Sequence, residues 1–426
     1  MFTRAFERLF VILLLLSSMG VVTALTESGY GGGRRVVSTD LRMSSVIVEA
    51  ALSLCGGLLV LMRWRRVLSA ARTVWPLIGL TALAPLSIAW SVEPLLTLRR
   101  SLILLASTVL AIYLGERYST EKLARLLTQT LCLMMLLVTF VYFVAAAYVI
   151  DPSGAWRGLS AYKNAFGEHT AVAVMLLLLV RFRHFCWLRY LFLVTAVVML
   201  VLSHSATSLA SCVLLAAAMP LWRLTRATVK QRLLVYTMVA ITVVLGVYLI
   251  GGNSDLLFKI LGRDSTLTGR THLWGMVIPA IVRHPILGYG YGAFWSVLKG
   301  ETLDIWIGIK WLTTVADNGY LDLCLDLGML GVCAFAYVFV QSFRTGMDYL
   351  RLESGPIGLW PITYLCFFAL HGIFESTLLT TGSFSFLVFV ILTTSLAVNH
   401  RRTIAAISPT ESQPMIGEWA PRALPT

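Results

Sequence analysis

The feature that most constrains this 426-residue sequence is a series of apolar runs separated by short polar loops. Each run has about the length of a helix that crosses a lipid bilayer. Hydrophobic residues make up 58% of the chain and charged residues 13%, whereas about a quarter of the residues of a soluble domain are charged. We therefore predict an all-α polytopic membrane protein with about twelve transmembrane helices. The predicted spans are 9–25, 44–62, 74–90, 99–115, 127–150, 168–182, 185–202, 206–222, 233–251, 320–343, 359–374 and 380–398.

The two ends of the chain are interpreted separately. The first run also resembles a signal peptide, because Arg4 and Arg8 precede it and residues 22–24 form an acceptable cleavage site. We favour a retained helix; cleavage would leave eleven spans and the same side for every later loop. Residues 1–402 are predicted to form one transmembrane domain, and the proline-containing residues 403–426 a disordered cytoplasmic tail.

The loops alternate between basic and non-basic. Loops 91–98, 203–205 and 375–383 contain no Lys or Arg. Positive loops face the cytoplasm, so both termini are expected in the cytoplasm. The net charge of +13 comes largely from these clusters, which argues against nucleic acid as a partner. The basic loops contain Arg63, Arg65, Arg66, Arg72; Arg117, Lys122, Arg125; Arg181, Arg183, Arg189; Arg223, Arg226, Lys230, Arg232; Arg344, Arg351; Arg401 and Arg402. The first outer loop is an exception to the positive-inside rule, because it contains Arg34, Arg35 and Arg42.

The cysteines give no sign of a disulfide or a metal site. All seven lie in or beside apolar runs, without a CxxC pair or metal-ligand spacing. Cysteines in such surroundings behave as small hydrophobic residues. We expect no disulfide, no metal and no cofactor.

The long loop 252–319 is predicted to lie outside the cytoplasm and to carry a helix lying on the membrane surface. Thr268 or Thr271 is a candidate N-cap for this helix, which would place Arg270 at its N-terminus. Helix N-termini and arginine forks both favour phosphate. The apolar face of the helix has helical spacing and contains Leu273, Trp274, Val277, Ile278, Ile281 and Val282.

Polar residues gather in segments assigned to the outer face, and each segment has a structural alternative. Arg99 and Arg100 could simply snorkel from a helix end, and residues 203–207 could form a helix-capping turn. Arg157, Lys163 and Asn164 form either an anion site or an ordinary polar loop. In the long loop, Arg263 and Arg270 are candidate phosphate ligands, whereas the glycines of 288–292 could only make tight turns.

The segment after the long loop contains several carboxylates. Asp317 and Asn318 precede the tenth span, and Asp322 and Asp326 follow within it at i and i+4. Carboxylates on an apolar helix should face the protein interior or a water-filled cavity. A structural role, such as capping or pairing with arginine, stands beside a catalytic one.

Six groups of residues recur in a fixed order along residues 80–400. They are Trp90-Ser91-Val92-Glu93-Pro94, Leu98-Arg99-Arg100, Gly158 with Lys163-Asn164 and Gly167, Thr268-Gly269-Arg270-Thr271 with Trp274, His284-Pro285 with Gly288-Tyr289-Gly290 and Phe294-Trp295, and Asn318-Gly319-Tyr320-Leu321 with Leu327-Gly328 and Leu330-Gly331. Taken together, they resemble the O-antigen ligase and polymerase family, most closely its ExoQ-type exopolysaccharide polymerases. The resemblance implies a multi-span enzyme that uses undecaprenyl-diphosphate-linked glycans at the outer face of the bacterial inner membrane, without metal or nucleotide sugar.

The chain departs from this family at two positions. Asp317 stands where the family usually has His before the Asn of the last segment, and Tyr162 stands where many members have His. A carboxylate of ordinary pKa is a weaker base than imidazole. The departure weakens the inferred mechanism and leaves the fold unchanged.

We therefore expect an inner-membrane polysaccharide polymerase for exopolysaccharide biosynthesis. It would transfer glycan from undecaprenyl diphosphate to a lipid-linked repeat unit, beside membrane lipid and possible partners such as a flippase and a chain-length regulator. Arg157, Lys163, Arg263 and Arg270 would stabilise the diphosphate. Asp317 and Asn318 would orient the acceptor, with Asn164, Arg99 and Arg100 lining the site. Two alternatives remain: an O-antigen ligase acting on lipid A-core, and a transporter or flippase using Asp322, Asp326, His371 and Glu375.

Overall fold

The computed structural model describes residues 2–26, 43–182, 185–224, 266–296, 300–353 and 355–407, and within them the regular structure is helical apart from one isolated β-bridge. Each predicted span within these residues overlaps helical structure, and the first overlaps two separate helices, whereas the span predicted at 233–251 lies outside the described residues. The helices are α1 Phe2–Ser18, α2 Val21–Thr26, α3 Met43–Met62, α4 Trp64–Thr73, α5 Trp75–Leu86, α6 Pro94–Arg117, α7 Thr120–Val149, α8 Lys163–Leu179, α9 Cys186–Leu202, α10 Ala206–Leu224, α11 Thr266–Arg283, α12 Gly300–Ile309, α13 Gly319–Leu352, α14 Trp360–His371 and α15 Phe384–Ile407.

Four of the described helices are long and apolar enough to cross a membrane: α6, α7, α13 and α15. A fifth span results if α4 and the helical segment after it are counted as one bent span. Shorter apolar helical stretches of 10–17 residues are Ala50–Met62, Cys186–Leu202, Ala206–Met219 and Pro356–His371. The chain is thus a multi-pass membrane protein, and the number twelve stays a prediction.

The best-buried helices lie at the centre of the bundle. Nearly every residue of α14 is buried, including Trp360, Tyr364 and Phe368. Helix α15 packs along α6, where a Cβ at Gly115 would lie 2.5 Å from the side chain of Thr394. The small residue at this crossing lets the two helices approach closely.

Two local predictions need correction. Helix α11 begins at Thr266, so Thr268 and Thr271 lie inside it, and Arg270 lies in its second turn instead of at its N-terminus. The basic segment 63–73 is α4 instead of a plain loop, and it meets the next helical segment at 96°. Val67 and Ala70 are buried while its arginines are exposed, which is the amphipathic pattern of a helix lying along a surface.

Helix α13 is interrupted at Gly328, whose φ of 63° and ψ of −161° are not helical. The break frees backbone groups that pair with the segment 285–292. The amide of Tyr289 donates to the carbonyl of Leu325 at 2.7 Å, and the amide of Met329 donates to Pro285 at 2.8 Å. A Cβ at Gly328 would lie 2.3 Å from the carbonyl carbon of Ile286, so the approach requires glycine.

Candidate active site

Arg270 lies between two carboxylates from distant parts of the sequence. Its Nη2 donates to Glu375 Oε1 at 3.0 Å, and its Nε lies 3.8 Å from Asp317 Oδ2. Arg270 comes from α11, Asp317 from the segment before α13, and Glu375 from the turn after α14. The Glu375 side chain is 5% exposed, that of Arg270 20%, and that of Asp317 40%. The three residues therefore form a charged cluster that opens at Asp317.

Asn164 joins this cluster from the first turn of α8. Its Nδ2 donates to the same oxygen, Glu375 Oε1, at 2.7 Å. One carboxylate oxygen thus accepts from both an arginine and an amide, which fixes the orientation of Glu375. This contact brings two sequence-predicted residues, Asn164 and Arg270, to one place.

The backbone around Asp317 is held in an unusual conformation. Asp317 has a φ of 50°, in the left-handed region that residues other than glycine rarely adopt. On its N-terminal side, Trp274 Nε1 donates to the carbonyl of Ala316 at 2.9 Å, and the amide of Ala316 donates to Asp322 Oδ1 at 2.9 Å. These bonds hold the segment against α11 and α13, and they direct the Asp317 carboxylate towards Arg270. Strained backbone of this kind is concentrated at functional sites.

Asn318 is the N-cap of α13. Its Oδ1 accepts from the amides of Tyr320 at 3.0 Å and Leu321 at 3.1 Å. The capping role considered for Asp317 is therefore filled by its neighbour. The oxygen of Asn318 serves the helix start, so a contact with substrate would have to come from its amide nitrogen.

Burial and neighbouring charges shift the acidity of both carboxylates. Burial raises the pKa of Glu375 to about 7; the Arg270 cation opposes this rise, and the Asp317 carboxylate adds to it. The surrounding protein also raises the pKa of Asp317, again against Arg270. Both acids are thus better proton acceptors than an ordinary carboxylate, which partly offsets the absence of imidazole.

Arg270 retains donors that the described residues do not use. Of the five N–H groups of a guanidinium, one donates a hydrogen bond within the described part of the chain. The Asp317 contact at 3.8 Å is an ion pair without a hydrogen bond. Arg270 can therefore hold Glu375 and still grip an anionic ligand.

Two other predicted anion ligands have protein partners. Arg157 is 7% exposed, and its Nε donates to the carbonyl of Tyr148 at 3.2 Å. Burial acts to raise the pKa of Asp151, but hydrogen bonds from Ser153 and Ala155 lower it, and the charge of Lys163, at the start of α8, adds a smaller lowering effect. Arg263 lies outside the described residues.

The predicted pair Arg99 and Arg100 lies in the first turns of α6. Arg100 Nη1 donates to the carbonyl of Gly292, and the amide of Gly292 donates to Asp326 Oδ1 at 2.9 Å. Arg99 is exposed. Arg100 thus supports the segment 285–292 instead of reaching the Arg270 cluster.

The carboxylates of α13 also have structural partners. Asp322 accepts from Trp295 Nε1 at 2.9 Å and from the hydroxyl of Ser376, the residue beside Glu375. Asp326 accepts from Gly292, as above. These bonds favour the structural role for the pair, with Asp322 also holding the turn that carries Glu375.

Glu375 is the site residue that sequence reasoning did not assign to the enzyme. It lies 105 positions from Arg270, and it was considered only for a transporter. The sequence does contain one signal for Glu375, because it is a single acid in a short turn between two apolar segments. A charged group in such a position needs a buried partner.

A second buried pair lies one helical turn from Glu375 and Asn164. His371 Nδ1 and Glu168 Oε2 are 4.0 Å apart, and His371 Nε2 lies 3.2 Å from the Ser208 hydroxyl. This pair is 1% and 5% exposed. The pair is therefore next to the Arg270–Glu375–Asp317 cluster in the fold. Among the described residues, no group of three or more His, Cys, Asp or Glu could hold a metal ion.

Comparisons with known proteins bear on this arrangement. Residues 191–336 match the model of the O-antigen ligase family. The chain is 26% identical over 319 residues to the exopolysaccharide production protein ExoQ of Rhizobium meliloti (strain 1021), and the alignment covers 70% of each chain. These similarities confirm the resemblance seen in the sequence. The family match contains Arg270, Asp317 and Asn318, whereas Asn164 and Glu375 lie outside it.

Proposed function

We propose that this protein is an inner-membrane polysaccharide polymerase, which transfers glycan from undecaprenyl diphosphate to a lipid-linked repeat unit at the periplasmic face. The observation that carries the proposal is the Arg270–Glu375–Asp317 cluster, assembled from three separate segments within a chain similar to glycan-transferring proteins. An O-antigen ligase would use the same donor with lipid A-core as acceptor, and it remains the second candidate because the family match is to ligases.

In this proposal Arg270 binds the donor diphosphate. A planar guanidinium can bind two phosphate oxygens at once, and its charge stabilises the diphosphate as it leaves. Glu375 accepts a hydrogen bond from Arg270 and keeps this arginine in position, and Asn164 in turn orients Glu375. Breaking the bond between the anomeric carbon and the phosphate oxygen gives an anionic leaving group, so Arg270 supplies its largest stabilisation in the transition state.

Asp317 acts on the acceptor. Its carboxylate is the most exposed member of the cluster and lies beside Arg270, so an acceptor hydroxyl can approach both the donor carbon and a proton acceptor. The hydroxyl oxygen forms the new bond to the anomeric carbon, and its proton passes to Asp317. Positioning and charge stabilisation suffice for such an activated bond, so we propose that no metal takes part.

The transporter alternative is less well supported. Asp322 and Asp326, which it would use as a relay, hold the segment 285–296 and the Ala316 amide. Glu375 is occupied by Arg270 and Asn164.

The test is the length distribution of glycan made by membranes supplied with lipid-linked repeat units and EDTA. Growth of long chains on lipid carriers supports the polymerase. Transfer to added lipid A-core without chain growth identifies a ligase, and movement of intact repeat units across sealed vesicles without any new bond identifies a transporter. A requirement for added divalent metal would contradict the metal-free mechanism.

Orientation is tested separately. We propose about twelve spans, cytoplasmic termini and a periplasmic loop 252–319. A phosphatase reporter fused at Gly300 should be active, and one fused at Ser119, in the basic connection between α6 and α7, should be silent. The reverse result would place the cluster on the wrong side of the membrane for this reaction.

A further inference from the structure

A basic cavity of about 470 Å³ lies at the opposite end of α6 from Arg100. Its lining includes one face of α4, with Arg66, Ser69 and Thr73, the end of α6 at Glu116, and the end of α15 at Arg401 and Arg402. Sixteen residues of α6 separate Arg100 from Glu116, a distance of roughly 24 Å along a helix. The cavity is therefore separate from the candidate active site.

The charge of this cavity is positive. Its lining contains three guanidinium groups and one carboxylate. Glu116 is 8% exposed, and its Oε1 pairs with Arg402 Nη2 at 2.8 Å. This acid therefore balances the charge of Arg402. Arg401 Nη1 donates to the neutral hydroxyl of Thr73 at 2.9 Å. Arg66 is exposed and has no acidic partner within the described residues.

The bend after α4 and the exposed side chains at its start favour a position of this helix at the membrane surface. The helix meets the following helical segment at 96°, so it runs along the surface if that segment crosses the bilayer. Trp64 at its start is 54% exposed, with the Arg65 guanidinium 5.5 Å from its ring centroid. Exposed tryptophan and arginine are typical of the headgroup region.

We propose that this cavity binds the phosphate of an anionic phospholipid headgroup. Arg66 and Arg401, which have no acidic partner in the described part of the chain, supply two forks for phosphate oxygens, and the Ser69 hydroxyl adds a donor. The volume fits a headgroup, because small-molecule sites begin at about 300 Å³. A lipid bound here bridges α4 and α15, and it would thereby anchor the surface helix to the bundle.

The experiment measures phospholipid binding to the full-length protein. Protein in detergent is titrated with phosphatidylglycerol or phosphatidylcholine, and retained lipid is counted by native mass spectrometry. Wild type should retain phosphatidylglycerol in preference to phosphatidylcholine. The double variant Arg66→Ala/Arg401→Ala should bind phosphatidylglycerol about tenfold more weakly, since one hydrogen bond to a charged group is worth about 1.4 kcal/mol or more.

The matched control is Arg65→Ala/Arg72→Ala, which removes two exposed arginines of α4 outside the cavity lining. It should bind as wild type does. Equal weakening in both double variants would show general surface attraction and overturn the site, as would equal retention of both lipids by wild type.

The last experiment is competition with inorganic phosphate. Displacement of phosphatidylglycerol by equimolar phosphate would identify a free-phosphate site and overturn the lipid proposal. Gel filtration confirms that each variant is folded, and Arg66→Lys/Arg401→Lys, which keeps the charge, should retain part of the binding.

Discussion

The two ends of the helix bundle combine arginine and carboxylate in opposite ratios. At the end formed by α1, α4 and α6, Glu7 accepts from Arg63 at 3.1 Å and from Arg117 at 2.9 Å. At the other end, Arg270 lies between Glu375 and Asp317. One acid serves two arginines in the first case, and one arginine serves two acids in the second.

The difference shows which ion pairs are suited to hold structure and which to bind a ligand. Both oxygens of Glu7 are used, and its two partners are 27–29% exposed, so this network is complete. In the Arg270 cluster, Asp317 stands 3.8 Å away and donors of Arg270 stay unused within the described residues. The incomplete cluster thus keeps donors for a ligand. We therefore expect variants at the Glu7 end to change stability alone, and variants at the Arg270 end to change activity.

The largest effect is expected from Arg270. Arg270→Ala should reduce chain growth by about 10²–10³-fold, the usual cost of removing a donor that stabilises transition-state charge. Arg270→Lys keeps the charge without the fork, so it should also lose most activity. The measurement is glycan length in membranes with equal amounts of inserted protein.

The matched control is Arg283→Ala, on the same helix, where the side chain is 62% exposed and pairs with Glu301. It should leave chain growth near the wild-type level. An active Arg270→Ala would remove this residue from the site, and a fully active Arg270→Lys would mean that charge alone is required.

The next effect is the pH dependence due to Glu375. Its pKa is raised from 4.5 to about 7, so between these values the folded protein binds more protons than the unfolded chain. This contribution to stability is present below pH 4.5 and is lost as the pH rises through 7. The shift corresponds to about 3 kcal/mol at most. Glu375→Gln should flatten the fall of the thermal unfolding midpoint of purified protein between pH 5 and 8.

The comparison is between the two pH profiles, because other buried groups titrate in both proteins. Parallel profiles for wild type and Glu375→Gln would show that Glu375 does not titrate in this range. Glu121→Gln serves as control, since Glu121 is 44% exposed and pairs with Arg125 on the same helix.

The third effect concerns the proposed base. Asp317→Asn should reduce chain growth about a hundredfold while lipid-linked repeat units accumulate, because the amide cannot take the proton. Asp317→His should keep measurable activity, since imidazole accepts a proton near neutral pH. Asp304→Asn, at an exposed position of α12, should have no effect.

A structural role for Asp317 predicts a different order. Asn adopts a φ of 50° more readily than His, because its short polar side chain can hydrogen-bond locally. An active Asn variant beside an inactive His variant would show that the backbone conformation, and not proton transfer, is what Asp317 provides.

The sequence predicts the fold better than it predicts the site. Apolar runs follow from local composition, and each run in the described residues overlaps helical structure. Arg270, Asp317 and Asn164 were also found from local patterns. Their convergence on Glu375 could not be found, because it depends on how α8, α11 and the turn after α14 pack. The start of α11 was misplaced because Thr268 and Thr271 are acceptable caps in isolation, whereas the structure continues the helix back to Thr266.

The smallest effect tests the complete ion-pair network at the opposite end. Glu7→Gln removes the charge that Arg63 and Arg117 share and should lower the free energy of unfolding by about 1.5–3 kcal/mol, the range for hydrogen bonds to charged groups. The loss should appear as a lower thermal unfolding midpoint, with chain growth at low temperature unchanged. Glu121→Gln removes an exposed pair within one helix and should cost less than about 0.5 kcal/mol. If Glu7→Gln instead abolished chain growth in a folded protein, both ends of the bundle would contribute to activity, and the division drawn from their opposite charge ratios would be wrong.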